Sequence, residues 1–179
     1  MFKKVMCAIL FMVAISMFAQ SEISSPLRFK SASVNLTVHQ MMTHLKSNGF
    51  RLVKKQHFSD MKRTEAKFVG PLWKYKNVTV TVMYKDGSSK ILSIIPQFPS
   101  DRESSKKEKT KEYFYAMVKK YGTPYRDKHN KLVLLFKDGV VGYMPEYGNI
   151  YFKGQDEAEK MRAELKSQAQ QKMNQDEDL

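Results

Sequence analysis

The residues best suited to recognition chemistry form the short segment Leu72-Trp73-Lys74-Tyr75-Lys76, in which aromatic side chains alternate with lysines. Aromatic rings can stack on a ligand, and ammonium groups can neutralise an anionic one. Trp73 is also the only tryptophan of the chain, and tryptophan is common among interface anchors. The segment therefore predicts a binding site at Trp73, Lys74, Tyr75 and Lys76. The alternative is that Trp73 and Tyr75 cover the edge of a sheet.

The four histidines lack the spacing of a metal site. His39 and His44 are five residues apart in a predicted helix, so they do not share a face as residues i and i+4 would. His57 and His129 are far from them in the chain. We therefore expect no metal and no other cofactor.

Motifs of catalysis are also missing from the sequence. The chain has no serine in a Gly-x-Ser-x-Gly context, no glycine-rich dinucleotide fingerprint and no P-loop. Its acidic pairs, such as Asp101 and Glu103, lie in a charged run that is typical of a solvated loop. We predict no catalytic residue and expect that the protein is not an enzyme.

The first 19 residues are typical of a secretory signal peptide. Lys3 and Lys4 precede a nearly unbroken apolar run of about 14 residues, and Ala19 then precedes polar sequence. The run is shorter than the roughly 20 residues that a membrane-spanning helix needs. We expect cleavage after Ala19 and export to the periplasm or the exterior. Cys7, the only cysteine, would be lost with this segment, so the mature chain would contain no disulfide and no thiol.

The charge of the chain favours an anionic partner. The sequence has 31 Lys and Arg residues against 18 Asp and Glu residues. Without Lys3 and Lys4, 29 remain against 18, which is a net charge of +11. An exported protein of this charge is attracted to polyanions such as lipopolysaccharide, acidic glycans or an acidic protein surface. The alternative is a well-solvated surface that has no polyanionic partner.

The segment at 78–84 is the clearest strand signal, because β-branched residues alternate there with period two. A turn at 85–90 and a return strand at 91–95 complete a hairpin. Shorter strands are predicted at 50–53 and 64–69, with a break at Gly70-Pro71. Residues 72–77 are predicted to form a loop or a bulged strand start, and the change of phase requires a bulge near Lys76-Asn77.

Two amphipathic helices precede groups of strands. The first is predicted from Thr37 to Asn48, with Thr37 and Gln40 as a capping box. The second is predicted from Ser105 to Tyr121, with a similar box at Ser105 and Glu108. Further strands are predicted at 131–136, 140–144 and 150–152, and a polar helix from about 155 to 172.

These elements predict an α+β fold made of two tandem α-βββ units, with the helices packed on one face of an antiparallel sheet. The units span residues 36–99 and 100–153. They follow the signal peptide at 1–19 and a flexible linker at 20–35. A polar C-terminal helix and tail occupy 154–179.

The order of elements resembles a group of small exported bacterial proteins. The resemblance lies in the helix ends Ser47-Asn48-Gly49 and Tyr121-Gly122-Thr123-Pro124, and it covers roughly residues 36–153. The group consists of tandem helix-plus-meander modules, typified by the β-lactamase inhibitor protein and the small lipoprotein of outer-membrane β-barrel assembly. The segments 67–70 and 77–84 also look like segments of exported Bacteroidetes proteins.

The resemblance implies a module that binds proteins or envelope components and is not an enzyme. The chain departs from both typical members, because it has neither the disulfides of the inhibitor nor the acylated cysteine of the lipoprotein. The expected function is therefore an exported interaction module that binds a protein or an envelope component. The alternative is a basic protein that binds a polyanion or the envelope surface, such as lipopolysaccharide or an acidic glycan.

Overall fold

The computed structural model describes residues 22–127 and 129–177. The predicted signal peptide at 1–19 and its cleavage site lie outside the described residues. Within them the chain forms three α-helices and a mostly antiparallel sheet, which confirms the α+β class. The elements are β1 (Glu22–Ile23), β2 (Arg28–Phe29), β3 (Ala32–Ser33), α1 (Val38–Ser47), β4 (Arg51–Phe58), β5 (Arg63–Leu72), β6 (Tyr75–Lys85), β7 (Ile91–Gln97), α2 (Glu103–Tyr121), β8 (Tyr125–Arg126), β9 (Leu132–Phe136), β10 (Gly139–Met144), β11 (Asn149–Lys153) and α3 (Gln155–Glu177).

One sheet of nine strands joins both parts of the chain. Its order is β4-β5-β6-β7-β11-β10-β9, and β1 and β8 share the outer edge of β9. The strand β1 runs parallel to β9, whereas the other pairs are antiparallel. The centre of the sheet is the contact of β7 with β11, where Ile94 pairs with Phe152. We call β4–β7 the N-terminal half of the sheet and β8–β11 the C-terminal half.

The strand β6 has the predicted alternation. Val78, Val80 and Val82 are fully buried. Val80 lies opposite Phe68, and Val82 lies between Ala66 and Ile94. These residues form the middle of the main hydrophobic core.

The helices contribute to two separate cores. Met41 and Leu45 of α1 and Phe114 of α2 are buried in the main core. On the opposite face of the C-terminal half, Val133, Leu135 and Val140 pack against Ala158 and Met161 of α3. The helices α1 and α2 thus contribute to the main core, and the polar C-terminal helix α3 packs on the opposite face of the sheet. The polar sequence of α3 still places two apolar residues on one helix turn, which is sufficient to anchor its first half.

The predicted caps have different outcomes. At α1, Thr37 Oγ1 accepts a hydrogen bond from the backbone of Gln40, and Gln40 Oε1 accepts one from the backbone of Thr37. This confirms the first capping box. The second is wrong, since α2 begins at Glu103 and its capping residue Arg102 makes no side-chain cap.

The flexible linker predicted at 20–35 is corrected for residues 22–35. Leu27, Phe29 and Val34 are buried in the main core. The ring of Phe29 contacts that of Phe152 edge to face at 5.0 Å. The backbone of Leu27 donates a hydrogen bond to Asp138 Oδ1 at 2.6 Å. The apolar residues of this segment have no regular spacing, because the chain here crosses the core in short irregular pieces.

All four strands predicted between residues 50 and 95 are present and are longer than predicted, so the first group has four strands and not the three of an α-βββ unit. The strand β5 continues through Gly70-Pro71 to Leu72, and Pro71 alone lies opposite Lys76 and Asn77 of β6. Gly70 leaves room for the ring of Phe50 to pack against the strand, because a Cβ at this position would lie 2.5 Å from that ring. Of the two alternatives for 72–77, the bulged strand start is correct. After a two-residue turn at Trp73-Lys74, β6 begins at Tyr75, and the predicted bulge lies at Lys76-Asn77.

Candidate functional site

The predicted site begins at the turn between β5 and β6. Leu72 pairs with Tyr75, so Trp73 and Lys74 are the two turn residues. Trp73 has a φ of 55°, in the left-handed region. Glycine, asparagine and aspartate usually occupy such turn positions, and a bulky residue there is an outlier. The conformation costs roughly 1–3 kcal/mol, so the turn stores strain at the residue that the sequence singles out.

Four aromatic rings surround this turn, and we call them the aromatic turn cluster: Trp73, Tyr75, Phe98 and Tyr113. The Trp73 ring lies 6.0 Å from that of Tyr75 and 5.7 Å from that of Tyr113. Phe98 is buried beneath them, 5.3 Å from Tyr75 and 5.2 Å from Tyr113. Trp73 remains 46% exposed. The cluster thus presents one large ring to solvent on a packed aromatic base.

Lys74 joins the cluster to α2. Its Nζ lies 4.6 Å from the ring centroid of Trp73 and 5.5 Å from that of Tyr75. The same atom lies 2.7 Å from Glu112 Oε2, which also accepts a hydrogen bond from the Tyr75 hydroxyl at 3.3 Å. The hydrogen bond between them raises the pKa of Lys74 and lowers that of Glu112. The turn is therefore held against the helix by charge as well as by ring contacts.

The predicted site residues divide into two sets. Trp73, Lys74 and Tyr75 come together, with Tyr75 half-buried against the main core and Trp73 half-exposed. Lys76 is exposed, and no side-chain hydrogen bond or ion pair within the described part of the chain involves it. The alternative role, in which these aromatic side chains cover the edge of the sheet, thus applies to Tyr75 and only partly to Trp73.

Sequence reasoning missed Phe98, Tyr113 and Glu112 as members of this site. They belong to the segment after β7 and to α2, between 24 and 40 positions along the chain from the turn. No local pattern marks them. Only the packing of α2 across the N-terminal half brings them to the turn.

A second group of polar side chains lies near the other end of β5. His57 Nδ1 is 3.1 Å from Asp86 Oδ2, and Thr64 Oγ1 donates a hydrogen bond to Asp86 Oδ1 at 2.7 Å. A catalytic dyad needs a nucleophile at the free Nε2 of the histidine. Among the described residues no side chain bonds that atom, and the Thr64 hydroxyl is bound to the carboxylate. The three side chains connect the neighbouring ends of β4, β5 and β6.

The face of the N-terminal half that is turned away from α1 and α2 is open, and we call it the open face. Its rows contain the residues that alternate with the core residues of β4 to β7: Arg51, Lys54, Gln56, Phe58, Arg63, Glu65, Lys67, Val69, Thr79, Thr81, Met83, Lys85, Ser93, Ile95 and Gln97. Thr81 is only 6% exposed because it lies between Lys67 and Ile95. The face is basic and hydroxyl-rich, and its few apolar side chains are partly covered.

A groove of about 530 Å³ lies between the hairpin of β6 and β7, the segment 34–37 and the start of α3. Its charged residues pair with each other, because Lys90 lies 3.2 Å from Asp156 and Lys153 lies 2.9 Å from Glu157. A smaller cavity of about 330 Å³ is lined by His129, Lys131 and Tyr147 among others.

Over residues 22–127 and 129–177, no three His, Cys, Asp or Glu side chains are grouped so as to hold a metal ion. In the same residues no helix combines the length and apolar character required to cross a membrane.

Comparison of the chain with models of known protein families, with curated proteins and with solved structures gave no match.

Proposed function

We propose that this chain is an exported, non-enzymatic interaction module that binds a protein or another envelope component through the aromatic turn cluster. The observation that carries the proposal is Trp73, which combines a φ of 55° with 46% exposure. Residues held in strained backbone conformations cluster at sites where function uses the strained residue.

The surroundings of Trp73 suit an interface anchor. Tyr75 and Tyr113 fix the ring from two sides, and Lys74 covers part of one face. A fixed aromatic ring loses little conformational freedom when a partner covers it, which favours affinity. The adjoining ammonium group of Lys76, which has no ion-pair partner among the described residues, favours a partner with negative charge near its contact surface.

A tandem arrangement of two related units is part of the proposal. The order α1, β4–β7 is followed by α2, β8–β11, and the last strands of the two groups lie side by side. Both groups also use a Lys-Asp-Gly turn, at 85–87 and 137–139. These features support two units at 36–99 and 100–153 and the resemblance to exported tandem modules.

Export to the periplasm or the exterior rests on the N-terminal sequence. N-terminal sequencing of the protein recovered from its source would begin at Gln20 if the signal peptide is removed after Ala19. A protein that retains Met1 to Ala19 in the membrane fraction would contradict this part of the proposal.

The binding site is tested by photocrosslinking in cells. A photoreactive amino acid replaces Trp73 in one variant and Tyr115 in another, because Tyr115 on α2 is equally exposed at 46% and lies outside the cluster. The proposal expects a defined adduct from position 73 and none from position 115. The purified adduct partner is then titrated against the unmodified protein.

The intrinsic fluorescence of Trp73, the only tryptophan, provides the second readout. Binding of the partner should shift its emission to the blue, and Lys74→Ala should weaken that binding. An adduct at both positions, or a partner that binds without altering the emission, would contradict the assignment.

Binding of a polyanion is the second candidate function. It is favoured by Lys54, Lys67 and Lys85 on the open face, which have no carboxylate partner among the described residues.

A further inference from the structure

We propose that the open face is a binding surface for an acidic polysaccharide, a linear glycan that carries carboxylate groups. This inference rests on the second candidate function and is independent of the aromatic turn cluster, which faces α2.

The first observation is the pairing of like charges. Lys54 of β4 lies directly opposite Lys67 of β5, and Arg63 of β5 lies directly opposite Lys85 of β6. Like charges at directly opposed positions of neighbouring strands destabilise a sheet. Two such pairs on one face are therefore costly for the free protein, and an anion placed between the members of a pair would offset that cost.

The second observation is that the three lysines among these four cations lack internal partners. Among the described residues no carboxylate lies within 4.0 Å of the ammonium groups of Lys54, Lys67 or Lys85. In contrast, Lys90 and Lys153 beside the neighbouring groove each have one. The fold thus neutralises lysines at the groove and leaves those of the open face for an external anion.

Arg63 supports the same conclusion. One of its terminal nitrogens lies 3.0 Å from Glu65 Oε1, and the guanidinium lies over the ring of Phe58 at 5.3 Å. Its Nε is buried and has no hydrogen-bond acceptor. A buried donor without an acceptor is unfavourable, and a small rotation of the guanidinium towards a ligand oxygen would satisfy it.

The spacing of the two pairs indicates an extended ligand. Arg63 and Lys67 are four residues apart on β5, so the pairs are separated by roughly 13–14 Å along the strand. One carboxylate or phosphate group cannot contact both, whereas a chain with repeated negative charges can. Gln56 lies in the row between the pairs, beside Glu65, and its amide can bind sugar hydroxyl groups.

The composition of the face favours a glycan over a membrane or a protein. Large exposed apolar side chains are required for insertion at a membrane surface, and the core of a protein interface is depleted of lysine. The large exposed apolar residues of the described chain belong to none of the paired rows of the open face: Leu52, Val53, Met61, Trp73, Leu92, Tyr115 and Tyr147.

The test uses the mature chain and an oligogalacturonate of about ten sugars, with a neutral glucan oligosaccharide of equal length as the ligand control. Affinity is measured by calorimetry between about 50 and about 200 mM salt. The double variant Lys54→Gln, Lys67→Gln should bind about tenfold more weakly and show a smaller salt slope. The charge-matched control is Lys111→Gln, Lys119→Gln, which changes two exposed lysines of α2 and should bind as the parent does.

A second readout separates recognition from loss of structure. Because the Lys54–Lys67 repulsion is removed, the double variant should melt at or above the temperature of the parent at low salt. Trp73→Ala should leave oligogalacturonate binding unchanged, which separates this proposal from the aromatic turn. If Lys54→Gln, Lys67→Gln and the control Lys111→Gln, Lys119→Gln weaken binding equally, the proposal is overturned, since binding would then follow net charge. Binding only to phosphatidylglycerol vesicles, or self-association of the chain through this face, would also overturn it.

Discussion

Lys74 lies over the ring of its neighbour Trp73, with Nζ 4.6 Å from the ring centroid, while the same atom reaches Glu112 at 2.7 Å. One side chain thus connects a strained hairpin turn to α2. Because the aromatic base beneath the turn is separate from the exposed ring, the structure predicts that stability and binding respond differently to changes at Trp73.

Trp73→Asn should leave the free energy of unfolding within about 1 kcal/mol of the parent. Asparagine tolerates a positive φ, so the substitution relieves backbone strain of roughly 1 kcal/mol. This relief offsets the lost contacts of the Trp73 ring, which are worth about 0.5–1.5 kcal/mol each. Tyr113→Ala, which removes the ring between Trp73 and Phe98, should cost about 3 kcal/mol. Urea unfolding of both variants measures the difference. An equal loss for the two would assign Trp73 to the core.

Phe29→Ala should destabilise the protein by about 3–5 kcal/mol, although Phe29 lies in the segment that sequence patterns predict to be a linker. Its ring is fully buried and contacts Phe152 at 5.0 Å. Arg28→Ala, at the exposed neighbouring position, is the matched control and should change stability by less than about 0.5 kcal/mol. If thermal melting shows the same small effect for both, residues 22–35 contribute nothing to the core.

The contrast between β6 and the segment 22–35 shows what sequence patterns can predict in this chain. The alternation at 78–84 is local, and it correctly identifies Val80 and Val82 as core residues. Leu27, Phe29 and Val34 have no period, so only their three-dimensional contacts identify them. The aromatic turn lies between these cases. Its exposed member Trp73 is prominent by composition, but the backbone strain and the contribution of Tyr113 depend on the packing of α2.

Substitution by aspartate distinguishes the two faces of β6. Val80→Asp should abolish folding or cost more than about 4 kcal/mol, because it leaves an unpaired charge in the main core. Sequence alternation alone predicts that Thr81→Asp is mild. Since Thr81 is 6% exposed between Lys67 and Ile95, we now expect a moderate loss of roughly 1–2 kcal/mol, reduced by the attraction of Lys67.

Thermal melts of the two variants with and without Lys67→Gln check this explanation. The lysine change should enlarge the loss for Thr81→Asp and leave that for Val80→Asp unaffected. If Thr81→Asp is as damaging as Val80→Asp in both backgrounds, the open face is covered in solution.

Buried tyrosines should make the protein sensitive to alkali. Burial raises the pKa of Tyr151 to about 12 and raises that of Tyr125 above its usual value, with a further contribution from Asp127. Both side chains pack against the core beneath α3, and the Tyr125 hydroxyl donates a hydrogen bond to Met161 Sδ at 3.3 Å. In the unfolded chain both phenols ionise near pH 10. The folded state therefore binds more protons than the unfolded state above that pH.

The sign of the effect follows from this difference in bound protons. Stability due to the two neutral phenols is fully present below pH 10 and is lost as the pH rises towards their folded-state pKa values. The variant Tyr125→Phe, Tyr151→Phe should consequently lose less stability than the parent between about pH 9 and about pH 11.5, as measured by urea midpoints. The control Tyr147→Phe removes a phenol that is 57% exposed and should retain the parent's pH dependence. Lysine deprotonation affects all three proteins alike, so only the difference between the variants reports on burial. If the double variant and the control lose stability in parallel, the phenols beneath α3 are accessible to water, and α3 does not form a closed core with Val133 and Val140.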